Sequence, residues 1–145
     1  MSDIIIATEP IDDLDRALVK AATAALDTGF RTGRHHVAAA LRLADGSVVT
    51  GLHLGSRRVN LCAEQIALGM VLSQGLAEPV ACASVIRMTE ADRPEPTSPC
   101  GVCREVLGFF VPSMTVVLPH LGGLVRARFG DLLPAPWLLP GESPS

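Results

Sequence analysis

Three of the four cysteines in this chain sit in two short pieces whose spacing suits a metal ion. Val59-Asn60-Leu61-Cys62-Ala63-Glu64 supplies one thiol, and Ser98-Pro99-Cys100-Gly101-Val102-Cys103-Arg104 supplies two more. Each piece reads as the N-terminus of a helix. A Cys-x-x-Cys pair on a helix start directs two thiolates at one point, and the helix dipole favours their charge. Cys62 opens the other helix. Glu64 falls on the same first turn, two positions on, and is not needed as a ligand. Three soft thiolates with a carboxylate beside them describe a zinc site that keeps one coordination position open for water. A structural zinc site closes all four positions with protein, so the pattern is catalytic in type. The competing reading is a structural zinc knot or a stray cluster, and Glu64 speaks against it because such a site has no use for it. Cys82 lies in the middle of an apolar run and reads as a buried, inert thiol rather than a fourth ligand.

The elements that must position these residues follow from the patterns around them. Asp12-Asp13-Leu14-Asp15 offers N-capping side chains and first-turn negative charge. Leu14, Leu18, Ala21, Ala22 and Ala25 then recur at helical spacing before Gly29, which predicts a helix over 12–28. Two apolar runs, 36–43 and 48–54, flank Asp45-Gly46 and predict a hairpin. Residues 55–58 read as a loop into the metal-bearing helix, 62–74, which ends near Gly75. Pro79 to Met88 is a continuous apolar run of strand length, the mark of a strand covered on both faces. The polar, proline-rich stretch 89–99 forms a loop that delivers Cys100, and the helix from there to about Phe110 is stopped by Pro112. Met114–Leu118 and Leu124–Ala127 are expected as strands around a Gly122-Gly123 turn, followed by a proline-broken tail. The order α-β-β-α-β-α-β-β predicts an α/β sandwich whose sheet is a hairpin followed by crossover strands.

With 145 residues there is room for one domain, 1–145, with about 138–145 as a flexible tail. Hydrophobic residues make up 48% and charged ones 19%, so burial is ample and disorder is not the default. A net charge of −3, 3% aromatic content and no Tyr argue against a polynucleotide partner, whose surfaces want basic stripes and stacking rings. No apolar run reaches the roughly 20 residues of a membrane span. The Met1–Ile6 run contains Asp3 and is too short for a signal peptide. Reduced thiols in a metal site point to the cytoplasm, where disulfides are rare.

Cys-Ala-Glu at 62–64 and Pro-Cys-Gly-x-Cys-Arg at 99–104, separated by one strand, resemble the cytidine deaminase family. The likeness is to its small, three-cysteine, homotetrameric branch, which includes blasticidin S deaminase. It covers nearly the whole chain, from the His36 strand to Leu133-Pro134. Either half of the motif alone would be weak, but the pairing is the zinc deaminase signature. The resemblance implies a three-layer α/β/α sandwich with a five-stranded mixed sheet, and zinc on Cys62, Cys100 and Cys103. It implies Glu64 as general acid–base, and a homotetramer acting on a small-molecule substrate. The implied reaction is hydrolytic deamination of an aminopyrimidine nucleoside or analogue to its keto form, with release of ammonia. Two alternatives stand beside it: a blasticidin S-type or other amino-heterocycle deaminase that ignores ribose, and a non-catalytic zinc-stabilised binding protein of the same fold.

Two departures from the family pattern bear on the site. The family commonly has Arg directly after the catalytic Glu, where it hydrogen-bonds the thiolates; here that residue is Gln65. Gln65 can still donate a hydrogen bond, and Arg104 with the two helix N-termini is expected to supply further positive potential. The family's second strand also carries an Asn-x-Glu pair that grips the ribose hydroxyls. The spacing to Cys62 puts His53 and Gly55 at those positions, or Gly51 and His53 in an ungapped alignment. Either way the ribose-binding Glu is absent. Substrate contacts are expected from His53, Gly55, Ala63, Pro99 and Trp137. Ala63 is small and leaves its backbone free, and the family often sends a C-terminal aromatic into a neighbour's active site. His35 and His36 read as surface or hydrogen-bonded residues. Arg57-Arg58 reads as a solvated loop, with anion binding as the alternative, and His120 as a turn residue.

Overall fold

In the computed structural model, which describes residues 5–143, the chain begins with a two-residue strand, β1 (Glu9–Pro10), and a capped helix, α1 (Asp13–Gly29). Asp12 Oδ1 accepts the Asp15 N–H at 2.9 Å, and Asp15 Oδ2 accepts the Asp12 N–H at 3.0 Å. This reciprocal box satisfies donors that a helix start otherwise leaves without partners. Next come β2 (Val37–Leu43) and β3 (Val48–Leu52), joined through Asp45-Gly46, with Gly46 at φ 85° where a side chain would be strained. A second, smaller pair follows, β4 (Leu54–Gly55) with β5 (Asn60–Leu61). The remaining elements are α2 (Ala63–Ser73), β6 (Pro79–Ile86), β7 (Glu95–Thr97), α3 (Gly101–Phe110), β8 (Thr115–His120) and β9 (Gly123–Arg128). A 3-10 turn, Phe129–Leu132, closes the ordered pattern. The Met1–Ile4 part of the N-terminal run and the last two residues of the tail lie outside the described residues.

The main sheet runs β1-β9-β8-β6-β2-β3. It is mixed: β6 and β8 are parallel through Ala81↔Thr115 and Cys82↔Val116, and the other pairs are antiparallel. β7 also pairs β6, at Ser84↔Thr97 to Ile86↔Glu95, along the length beyond the β8 contact. It therefore returns the chain along β6 and delivers the start of α3 beside it. Five strands were expected in this sheet and, among the described residues, seven form it. The two extra ones, β1 and β7, are two and three residues long, too short to leave a sequence pattern.

Alternation along β2 builds two cores. Ala38 and Ala40 face α1, with Leu18, Ala22, Leu26, Ala81, Ala83 and Val85. Leu41 and Leu43 face the other way and pack with Cys82, Ala67, Leu68, Leu107 and Phe129, beneath α2 and α3. The result is the three-layer α/β/α sandwich. Cys82 is fully buried in the second core, as the apolar run around it predicts. Gly51 sets the height of α2 above the sheet. A Cβ there would stand 2.5 Å from the Ala63 carbonyl oxygen and 2.7 Å from the Ala67 nitrogen, both backbone atoms that cannot swing aside. Among the described residues no helix is long and apolar enough to cross a membrane.

Candidate active site

Cys62 and Cys100 are the N-cap residues of α2 and α3, both in extended backbone, and neither side chain caps its helix. The two thiols face each other instead, with Sγ atoms 3.3 Å apart. Cys103, on the first turn of α3 and fully buried, adds the third sulfur, and all three lie within 4.8 Å of one another. Among the described residues this is the one group of His, Cys, Asp and Glu side chains placed to hold a metal ion. Glu64 lies against it, only 4% exposed: Oε1 accepts from Ser84 Oγ at 2.8 Å, and Oε2 accepts from Cys103 Sγ at 3.4 Å. Gln65 Nε2 donates to Cys103 Sγ at 3.7 Å.

The thiols are not alike. Burial, followed by the hydrogen bond with Cys100, pushes Cys62 up to about 11. Burial and then the Glu64 carboxylate push Cys103 and Cys82 far above the ordinary thiol range. Burial also acts to raise Cys100, but the N–H of Cys103, the neighbouring thiols and the N–H of Val102 together outweigh it and hold this group low. Those amides are the open donors of the α3 N-terminus. Three thiolates packed beside a carboxylate repel one another, so their joint deprotonation calls for a cation among them.

No family model matches the chain. Curated relatives do. It is 33% identical to blasticidin-S deaminase of Bacillus cereus over 129 residues, covering 86% of this chain and 92% of that protein. It is 38% identical over 105 residues to cytidine deaminase of Halalkalibacterium halodurans, covering 70% and 76%. The chain belongs to the cytidine deaminase family. As a member of that family it is an enzyme, a hydrolase acting on a carbon–nitrogen bond. The solved cytidine deaminase of Burkholderia pseudomallei shares the fold, with a TM-score of 0.68 and 33% identity, covering 84% of this chain and 98% of that one.

Gly51 is sealed beneath α2 by the Ala63 carbonyl, which leaves His53 and Gly55 as the pair that borders the β4–β5 hairpin. His53 has both ring nitrogens engaged: Nδ1 accepts the His36 N–H at 3.2 Å, and Nε2 meets Asn60 Oδ1 at 2.8 Å. His35 and His36 are hydrogen-bonded residues, on the His53 and Arg87 carbonyls at 2.7 and 2.9 Å. Arg104 Nε donates to the Pro99 carbonyl at 3.0 Å, and this residue is turned about 100° round the helix from Cys103. Ala63 is fully buried and Pro99 is buried, with its carbonyl taken by Arg104. Trp137 is 76% exposed and lines an apolar groove of about 850 Å³ with Phe109 and Phe110; none of the three clustered cysteines, Glu64 or His53 lines that groove. Arg57 and Arg58 are exposed in the β4–β5 turn, and His120 is exposed at the end of β8.

Two contributors had no place in the sequence reading. Ser84 is a lone hydroxyl inside the apolar run 79–86, which is its one mark in the sequence. Asn60, two residues before Cys62, carried no signal of its own until the β4–β5 pairing set it opposite Gly55.

Proposed function

We propose that this member of the family is a zinc-dependent hydrolytic deaminase that converts an aminopyrimidine nucleoside, or an analogue with an altered sugar, to its keto form and ammonia. The observation that carries the reading is the Glu64 carboxylate, buried and anchored through one oxygen, with the other turned to the three-sulfur cluster. The donor set fits zinc. Thiolates about 2.3 Å from a tetrahedral centre stand about 3.8 Å apart, and here one pair is at 3.3 Å with all three inside 4.8 Å. Three protein donors leave the fourth position free for a small ligand. When bound, zinc supplies a nucleophilic water at neutral pH by lowering that water's pKa from about 15.7 to about 7.

The protein's own part is proton traffic and charge balance. Ser84 holds Oε1, so Oε2 is the oxygen that takes up a proton as water adds to the ring carbon bearing the amine. The same oxygen gives that proton to the ring nitrogen, then takes the proton of the newly formed C–OH and passes it to the departing amine as the C=O forms. A C–O bond forms, the C–N bond breaks, and the amine leaves as ammonia with no change of oxidation state. Gln65 and the open amides of the α2 and α3 N-termini share the negative charge of three thiolates.

On substrate, the likeness to both a blasticidin-S deaminase and a cytidine deaminase supports the cytosine ring as the common feature. Gly55 offers no carboxylate to ribose, which supports weak discrimination between cytidine and 2′-deoxycytidine. We place the enzyme in a reducing, cytoplasmic setting because the cluster needs free thiols. We further propose a homotetramer, supported by large apolar side chains left bare on α3 and the tail. The test is Glu64→Ala. Zinc and fold should be retained while ammonia release falls by at least 10²–10⁴-fold. Undiminished turnover would remove the role given to Glu64.

A further inference from the structure

The β4–β5 hairpin holds a hydrogen-bond relay that ends at Asn60, two residues before Cys62. Its first donor is the His36 backbone N–H, which can only give a proton, so His53 Nδ1 at 3.2 Å must accept it. The ring proton of neutral His53 then sits on Nε2. Nε2–H, at 2.8 Å, requires an oxygen opposite it, which fixes the Asn60 amide with Oδ1 toward the histidine and Nδ2 away. Asn60 is exposed, and among the described residues Nδ2 has no protein acceptor. His53 in turn keeps no ring nitrogen for a ligand.

Asn60 and Cys62 are two positions apart in extended backbone, where alternate side chains share a face, so the amide lies on the Cys62 side of the strand. Gly55 is paired directly with Asn60. A Cβ at 55 would stand 3.1 Å from His53 Cε1 and 3.3 Å from Asn60 Oδ1, so a longer side chain there would push into the relay. A side chain at 55 and the His53–Asn60 relay therefore compete for the same space, and the hairpin presents the Asn60 amide instead.

We infer that Asn60 is a specificity-determining residue that donates from Nδ2 to an oxygen acceptor on the ring-nitrogen substituent of the substrate, with His53 as its positioning residue. The inference rests on the deaminase reading above. It names the substrate class more narrowly: the substituent carries an ether, carbonyl or carboxylate oxygen within reach of the hairpin.

The test compares zinc-loaded wild type, Asn60→Ala, Asn60→Asp, His53→Ala and the Asn60→Ala/His53→Ala double variant. The probes are cytosine and whichever of cytidine, 2′-deoxycytidine and blasticidin S turns over fastest. Asn60→Ala should lower the ratio of kcat/KM for the substituted substrate to that for cytosine by roughly two- to tenfold, the worth of one neutral hydrogen bond, and chiefly through KM. If cytosine does not turn over, its inhibition constant replaces its kcat/KM in the ratio. Asn60→Asp keeps an acceptor for His53 but sets a charged acceptor before the substrate, so its ratio should fall further. His53→Ala should match Asn60→Ala, with no added loss in the double variant. Nitrogen-15 NMR of the wild type should show His53 as the Nε2–H tautomer, and Asn60→Ala should release that preference. An unchanged ratio, additive losses, or an Nδ1–H tautomer would overturn the inference while leaving deamination intact. A wild type that releases no ammonia from any of the three substituted substrates would instead overturn the deaminase reading, and this inference with it.

Discussion

Cys103 and Glu64 share a contact that metal uptake must remake. The Cys103 thiol donates to Oε2 at 3.4 Å, and burial, followed by the hydrogen bond with Cys100, pushes Cys62 up to about 11. A raised thiol pKa means that at neutral pH the proton is present and the metal must displace it. Zinc binding at pH 7 should therefore release protons, and apparent affinity should rise about tenfold per pH unit for each proton displaced, with the Cys62 share of that rise ending near 11. Calorimetry in buffers of different ionisation enthalpy measures the release directly; binding with no proton release would show that the thiols are already ionised. Serine at Cys62, Cys100 or Cys103 should strip the metal, whereas serine at the buried Cys82 should keep it. Ser84→Ala removes a hydrogen bond to a buried carboxylate, worth about 1.5–3 kcal/mol. It should lower kcat by roughly ten- to a hundredfold with zinc content unchanged, and a purely KM effect would contradict the anchoring role. The cysteines and Glu64 were readable because each motif is contiguous, whereas Ser84 meets Glu64 from 20 residues away, through a strand-to-helix contact that no local spacing encodes.

At the scale of elements, the site is a matter of how low two helix starts sit on one sheet. Gly51 under α2 sets one of those heights. Gly51→Ala must push α2, with its Ala63 carbonyl and Ala67 amide, off the strand, so it should destabilise by roughly 1–3 kcal/mol, as overpacking does. Because Cys62 and Glu64 ride on α2 while Cys100 and Cys103 ride on α3, it should also weaken zinc affinity. Denaturant unfolding together with a competitive chelator assay measures both, and a destabilised variant with unaltered zinc affinity would mean that the helices move as one body. The helices and the longer strands were legible, since amphipathic spacing, the Asp12–Asp15 box and the Asp45-Gly46 turn are local signals. The short strands were not. β1 exists because Arg126, 117 residues after Glu9, pairs with it across the sheet edge, and β4–β5 exists because Gly55 and Asn60 close a four-residue turn. Such pairings are decided by partners distant in sequence or by only two residues, below the length at which a period can be read.

For the whole molecule, the apolar groove beside α3 and the place of Trp137 bear on one another. Phe109 is 74% exposed, Phe110 54%, Trp137 76% and Leu139 51%, a concentration of bare apolar surface that supports the proposed homotetramer. Trp137 lies in that groove, apart from the cysteines of its own chain. If it serves catalysis in the proposed homotetramer, it does so in a neighbour's site, and Phe109→Glu should both dissociate the assembly and depress activity. Sedimentation velocity at micromolar concentration should find the wild type as a tetramer and this variant as smaller species. Complementation then separates a shared site from mere mutual support. Glu64→Ala chains lack the carboxylate but carry an intact Trp137, and Trp137→Ala chains are the reverse. Unfolded, mixed and refolded together with zinc, they should assemble hybrids in which some sites combine one chain's Glu64 with the other chain's Trp137. Ammonia release should then exceed that of either parent alone. If mixing gave no more than the average of the two parents, Trp137 would act within its own chain or not at all, and the groove would be an interface without a share in the chemistry.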